Sequence, residues 1–213
     1  MTDTQKKPLW KNELVWLFLL TSGLFAILYS KFILGGYAYV FTDTGADTMQ
    51  INYAQYGLFS SLFRSGESGY VLQAGLGMDV SSYYPAYLIP YNLLILLAPQ
   101  RLLPWAVLAS AYLKMITISL VGYLFYRKLM QDGIGTMAAA LAWTFSGYVI
   151  LWGQHYGFCT CMALFTVFMY FLQCYLNGEQ RWKSAGLVIT VTILLISSYY
   201  FLYMIAFFSV FYV

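Results

Sequence analysis

From Pro104 to Tyr126 the chain reads PWAVLASAYLKMITISLVGYLFY, and Arg127 and Lys128 follow at once. A helix needs about 20 apolar residues to cross ~30 Å of hydrocarbon. This stretch supplies them, with one internal charge at Lys114 and a basic stop, so it is predicted to span a membrane. Working outward, Ile134 to Trp152 and Phe158 to Leu176 read as two more spans. Leu14 to Leu34 follows Lys6, Lys7 and Lys11. Its apolar stretch is too long for a signal-peptide core and no small-residue cleavage site follows, which predicts a retained signal anchor. The tract from Ser184 to Val213 makes ~45 Å as one helix, more than one crossing. It either tilts strongly or breaks near Ser197, Ser198, Tyr199 and Tyr200 and folds back.

Composition points the same way. Of 213 residues, 61% are hydrophobic and 9% charged, against about a quarter charged in soluble domains. So few charges cannot clothe a soluble surface of this size. Aromatic residues reach 20%, with 21 Tyr and 6 Trp, and such rings suit a membrane–water interface. The fold class expected is all-α integral membrane, a polytopic transmembrane helix bundle forming a single domain over residues 1–213. A net charge of +3 without a basic stretch excludes a nucleic-acid groove. Cys159 and Cys161 lie two apart on a predicted helix and project to different faces. With Cys174 they form an odd set in apolar sequence and read as small packing residues.

Counting Lys and Arg between the spans sets the orientation. Lys6, Lys7, Lys11, Arg127, Lys128, Arg181 and Lys183 fall on one side. Arg64 and Arg101 fall on the other, with Lys31 near a helix end where it can snorkel. The N-terminus is therefore expected in the cytoplasm of a multi-pass cell-membrane protein, with the loop from Gly35 to Leu103 facing outward. The chain ends FFSVFYV from Phe207 to Val213, without a basic flank. That predicts the N-terminal part of a longer bundle.

The outward loop carries four of the eight acidic residues, Asp43, Asp47, Glu67 and Asp79. From Thr48 to Phe63 apolar and aromatic residues recur at helical spacing, as in a helix lying on a membrane. Asp47 is placed to cap it. Ala74 to Gly77 reads as a turn. Tyr87 to Ala98 contains Pro90 and is too short to cross, so it is predicted to be re-entrant or interfacial. Long ordered loops tend to be functional, and an acidic one at a membrane surface suits glycosyl transfer from a lipid-linked sugar. There a carboxylate deprotonates the acceptor hydroxyl, and nearby cations stabilise the departing phosphate.

Three stretches carry a resemblance: DTMQ from Asp47 to Gln50, GMD from Gly77 to Asp79, and YLIPYNLL from Tyr87 to Leu94 before Pro99. They resemble the YfhO family of bacterial membrane proteins, which have a glycosyltransferase-C-like (GT-C-like) architecture. FSGY from Phe145 to Tyr148 and SYYFLYM from Ser198 to Met204 are similar too. The resemblance implies a membrane glycosyltransferase that decorates cell-envelope polymers such as teichoic acid, using polyprenyl-phosphate sugars. It also implies a catalytic acid in the first outward loop. Asp47 best matches the pattern, and Asp43, four residues earlier, is the alternative.

A divalent metal remains an open cofactor question, because the loop has no Asp-x-Asp pair and no clear ligand motif. Both acids have a competing reading as caps or solvated residues at the helix start. Asp79 is a further substrate-binding candidate. Lys114 sits mid-span, where charge is costly and usually faces a cavity or partner, and it is a candidate phosphate contact. Arg64 is another, against a reading as part of a solvated turn with Glu67. His155, the single histidine, lies in the connection Gln154–Gly157 on the side of the acidic loop. The partners expected are the bilayer, the polyprenyl-phosphate donor and the polymer acceptor. A transporter or flippase for a lipid-linked or small polar substrate is the competing function. Its ionisable residues belong at the midplane, whereas these acids lie outside the spans.

Overall fold

The computed structural model describes residues 12–40, 47–67, 69–72, 77–81, 87–130, 132–179 and 181–213. Asn12 starts the first helix, α1 (Glu13–Leu28), by accepting from the Leu14 N–H at 3.1 Å, which satisfies one of the unpaired donors of a helix start. The chain bends at Tyr29 (φ −101°, ψ 16°) before α2 (Ser30–Leu34). The stretch expected as one helix over 14–34 is therefore two. The bend seats Tyr29 against Phe25, stacked at 4.3 Å, and edge-on to Tyr39 at 5.2 Å.

In the long loop the amphipathic segment forms as its spacing predicts. Its first part, Thr48–Tyr53, is a π-helix that runs directly into α3 (Ala54–Ser65). Tyr56, Phe59, Ser60 and Leu62 form the buried face of α3. The helix stops at Gly66, whose φ of 72° is a left-handed C-terminal conformation that glycine adopts without a Cβ penalty. Two short strands, β1 (Tyr70–Val71) and β2 (Met78–Asp79), pair antiparallel with Tyr70 opposite Asp79. This pair corrects the all-helical expectation; two residues per strand are too few for any periodicity to announce. Asp43 and the Ala74–Leu76 part of the predicted turn lie outside the described residues. α4 (Pro90–Leu97) has proline in its first turn, where the missing N–H costs nothing. Its 8 residues give ~12 Å, too short to cross, as expected.

The bundle follows: α5 (Leu103–Leu129), α6 (Gly133–Thr144), α7 (Gly147–Leu151), α8 (Tyr156–Leu176), α9 (Arg181–Ser197) and α10 (Tyr199–Tyr212). Three helical stretches, Gln100–Leu129, Gly133–Gln154 and Tyr156–Leu176, are long and apolar enough to cross a membrane. The second of these was expected to be uninterrupted, but Ser146 is extended (φ −61°, ψ 153°) and separates α6 from α7. A 3-10 turn, Trp152–Gln154, then leads into α8.

The last tract is a broken pair. Ser198 is extended (φ −169°, ψ 104°) between α9 and α10, and the chain folds back there. Phe201 meets Phe158 at 5.1 Å, Phe208 meets Phe165 at 5.7 Å, and the Tyr212 hydroxyl donates to Gln173 Oε1 at 2.7 Å. The contacts advance together along both helices, so α10 runs parallel to α8 and α9 runs back between their ends.

Hydrogen bonds between helices join the bundle. Thr21 and Ser119 hydroxyls meet at 2.7 Å, Ser22 and Tyr112 at 2.8 Å, and Trp143 Nε1 donates to Thr166 Oγ1 at 2.9 Å. Large apolar side chains such as Ile134 (81% exposed) and Val210 (77% exposed) point outward, as expected of a surface meant for lipid rather than water. Cys159, Cys161 and Cys174 are all buried free thiols, packed as small core residues. The two that were expected on different faces are both covered, since α8 is enclosed on more than one side.

At the end of the bundle opposite the long loop, Glu179 accepts from both Lys128 and Lys183. These ammoniums hold its carboxyl down to about 2. A depressed folded value means that the clamp stabilises above the ordinary carboxylate range and is lost as pH falls through the folded value. The melting-temperature gap between the protein and Glu179→Gln is expected at pH 7, should narrow below about pH 4.5, and should close near pH 2. Salt should shrink it, because the pair is partly exposed. A gap independent of pH would show that the loss is one of packing.

Candidate functional site

At the loop end of the bundle a cavity of about 290 Å³ lies where α3, α4, α8 and the α9–α10 turn meet. Its walls carry Asn52, Tyr56, Tyr87, Asn92, Thr160, Ser197 and Ser198, with Phe158, Cys161 and Phe201 among the apolar positions. This is a wall of amides, phenols and hydroxyls, with no charged side chain among the described lining residues. Asn92 is 5% exposed and accepts from the Tyr56 hydroxyl at 3.3 Å. Burial, with the Tyr87 and Tyr156 phenols close by, pushes the Tyr56 phenol well above its ordinary value, so it stays a neutral donor. Tyr87 stacks on Phe59 at 4.1 Å and donates to Gln55 Oε1 at 3.0 Å. Both contacts fix the wall that α3 presents.

The π-helix decides where Asp47 sits. A π turn closes i to i+5, which brings Asn52 round beneath Asp47. The Asn52 side-chain amide donates to the Asp47 carbonyl at 3.4 Å. An α-helical start would carry Asn52 well off that face. Asp47 is itself in helical conformation and makes no side-chain cap bond, so the expected capping role is not what its carboxylate does. The buried Thr48 hydroxyl donates to the Gln154 carbonyl at 3.2 Å. That bond joins the residue after Asp47 to the residue before His155. Two of the sequence candidates therefore lie at one junction beside the cavity. His155 shares a cluster of three rings with Trp152 (5.5 Å) and Phe158 (5.2 Å), which also meet each other at 5.6 Å, and Phe158 lines the cavity.

The other candidates lie elsewhere. Arg64 is exposed in the last turn of α3 and donates to the Ser60 carbonyl at 3.2 Å. Asp79 is exposed on β2, where the Ser81 hydroxyl (2.6 Å) and N–H (3.0 Å) hold its carboxyl below the usual range. Lys114 is 2% exposed, does not line the cavity, and donates to the Tyr156 carbonyl at 3.1 Å. Among the described residues no three His, Cys, Asp or Glu side chains converge as metal ligands. Sequence reasoning missed Asn52, Asn92 and Thr160. Asn92 had a signal, being the one polar residue in the apolar run YNLLILL, whereas Asn52 and Thr160 gain meaning only from their neighbours in space.

Below the cavity the lining turns apolar. Cys161 and Phe201 also border a space of about 240 Å³ with Met162, Phe165, Met204 and Phe208. Phe165 and Phe208 border a further space of about 390 Å³ with Trp143, Met169 and Tyr212. The three spaces follow one another along α8 and α10, the polar one at the loop end and the two apolar ones beyond it.

No curated protein and no solved structure matches the chain. The family described as bacterial membrane protein YfhO matches residues 16–213. A match over nearly the whole chain, on a helical bundle with membrane-length apolar spans and the short helix and broken helix pair where YLIPYNLL and SYYFLYM stand, means that this chain belongs to the YfhO family of bacterial membrane proteins.

Proposed function

We propose that this chain acts as a GT-C-type membrane glycosyltransferase. In this reading it moves a sugar from a polyprenyl-phosphate donor to a cell-envelope polymer, such as teichoic acid, on the outer face. The observation that carries the reading is the head-to-tail polarity of the site. A small uncharged cavity of amides, hydroxyls and aromatic rings suits a sugar ring, and the apolar spaces that follow it along α8 and α10 suit a hydrocarbon chain. A lipid-linked sugar has that same order of parts.

In the proposed step the acceptor oxygen bonds to the anomeric carbon and the bond from that carbon to the phosphate oxygen breaks. The Asp47 carboxylate takes the acceptor's proton and the polyprenyl phosphate leaves. Asp43 is the alternative base, and His155 is placed beside the same junction to contact donor or acceptor. Seven basic residues that the sequence groups on one side, Lys6, Lys7, Lys11, Arg127, Lys128, Arg181 and Lys183, favour a cytoplasmic basic end and an outward cavity.

The test is a transfer assay with labelled polyprenyl-phosphate sugar and teichoic acid, using the protein in vesicles. Transfer of label to the polymer supports the reading. Movement of the donor across the vesicle bilayer without transfer would overturn it in favour of the flippase reading, for which the breaks at Ser146 and Ser198 are the specific observation. Orientation is checked on a cysteine-free background with a membrane-impermeant maleimide. Gly66 and Gly178 both have positive φ, so the cysteines belong at their neighbours. Glu67→Cys is expected to label from outside and Asn177→Cys to stay protected. The reverse pattern would place the cavity in the cytoplasm.

A further inference from the structure

A lysine buried in a membrane bundle ordinarily serves a cavity or an acidic partner. Lys114 instead spends its ammonium on a main-chain carbonyl, that of Tyr156, in the first turn of α8. That oxygen also accepts from the Thr160 hydroxyl at 3.1 Å, and its two lone pairs allow more than one donor. Tyr156 is a junction. Its ring stacks on Tyr56 at 5.3 Å with 12° between planes, and its hydroxyl donates to the Tyr39 carbonyl. Tyr56 in turn donates to Asn92, and Tyr56, Asn92 and Thr160 all face the cavity.

We propose that Lys114 is a positioning residue: it holds the start of α8 through the Tyr156 carbonyl and so sets the cavity wall, without touching the ligand. The long flexible stem of lysine suits this task, since it reaches from α5 to a neighbouring helix and offers rotatable donors. A phosphate contact requires the ammonium to face the cavity and its charge to be essential. Positioning requires only a donor at that place. The two roles therefore separate on the charge.

Lys114→Gln keeps a donor and removes the charge, while Lys114→Met removes both and leaves the span more apolar, which favours insertion. The first readout is maleimide reactivity of Cys161, which is buried in the cavity wall, in protein carrying Cys159→Ala and Cys174→Ala. Lys114→Met is expected to speed labelling at least ~10-fold as the wall opens locally, with Lys114→Gln close to the parent. A companion protein retaining only Cys174, buried on the far part of α8, should remain slow in every variant. Faster labelling there too would mean general loosening and would overturn the proposal.

The second readout rests on the transferase reading. Lys114→Met should lower kcat at least ~10-fold with the donor KM within about twofold, and Lys114→Gln should recover most of the rate. A raised KM in both variants would assign Lys114 to the phosphate. Unchanged Cys161 labelling in Lys114→Met would also overturn positioning. If the parent shows no transfer at all, the transferase reading fails by itself and the labelling decides Lys114.

Discussion

In a transfer assay with a polyprenyl-phosphate sugar, Asp47→Asn is expected to lower turnover at least ~100-fold while leaving stability and donor binding near those of the parent. A carboxylate accepts the acceptor's proton and an amide of nearly the same shape does not. The structure sharpens the forecast. Asp47 makes no side-chain cap bond, and asparagine caps about as well as aspartate in any case, so lost capping cannot mimic lost chemistry. The π turn keeps Asp47 over Asn52 through a main-chain carbonyl, which the substitution leaves in place. Asp47→Glu should fall between, because the acid survives but its reach changes. Transfer close to the parent's by Asp47→Asn would sink the assignment and move attention to Asp43.

The largest effect on stability is expected at Gly186. A Cβ built there would overlap the ring of Phe171 on α8, so glycine is what lets α9 approach. Small residues serve this purpose where membrane helices pack closely. Gly186→Leu should cost about 1–3 kcal/mol by overpacking, seen as a fall in melting temperature of roughly 5 °C in detergent. The remedy identifies the cause: Phe171→Leu combined with Gly186→Ala should lose much less than Gly186→Ala alone. Equal losses in the single and double variants would show that the ring is not what Gly186 accommodates. Because α9 ends at Ser197 in the cavity wall, Gly186→Leu should also slow transfer, linking helix approach to the shape of the site.

The elements that run on one repeating chemical pattern were legible from the chain alone. An apolar run closed by Arg127 and Lys128 predicts the span that α5 forms, and the spacing from Thr48 to Phe63 predicts the helix whose buried face carries Tyr56 and Phe59. Pro90 in a short apolar run predicts a helix that does not cross, which α4 is by length. The motifs around Asp47, Asn92, Phe145 and Ser198 were enough to suggest the family. These readings succeed because hydrophobic length, period and basic flanks act within a few turns of the chain.

What the chain alone left open depends on which distant residues meet. The sequence allowed the last tract to tilt or to fold back, and contacts from Phe201, Phe208 and Tyr212 to α8 decided for folding back. For Lys114 the sequence offers a phosphate contact, and the fold adds a partner that the chain alone could not name, the Tyr156 carbonyl, 42 residues away at 3.1 Å. Asn52 and Thr160 are unremarkable in their local sequence, and with Asn92 they become one wall only when three separate segments converge. Spans follow from the cost of taking each segment out of water, a sum of local terms. The site follows from side-chain contacts between segments far apart in sequence, and those exist only once the helices have packed.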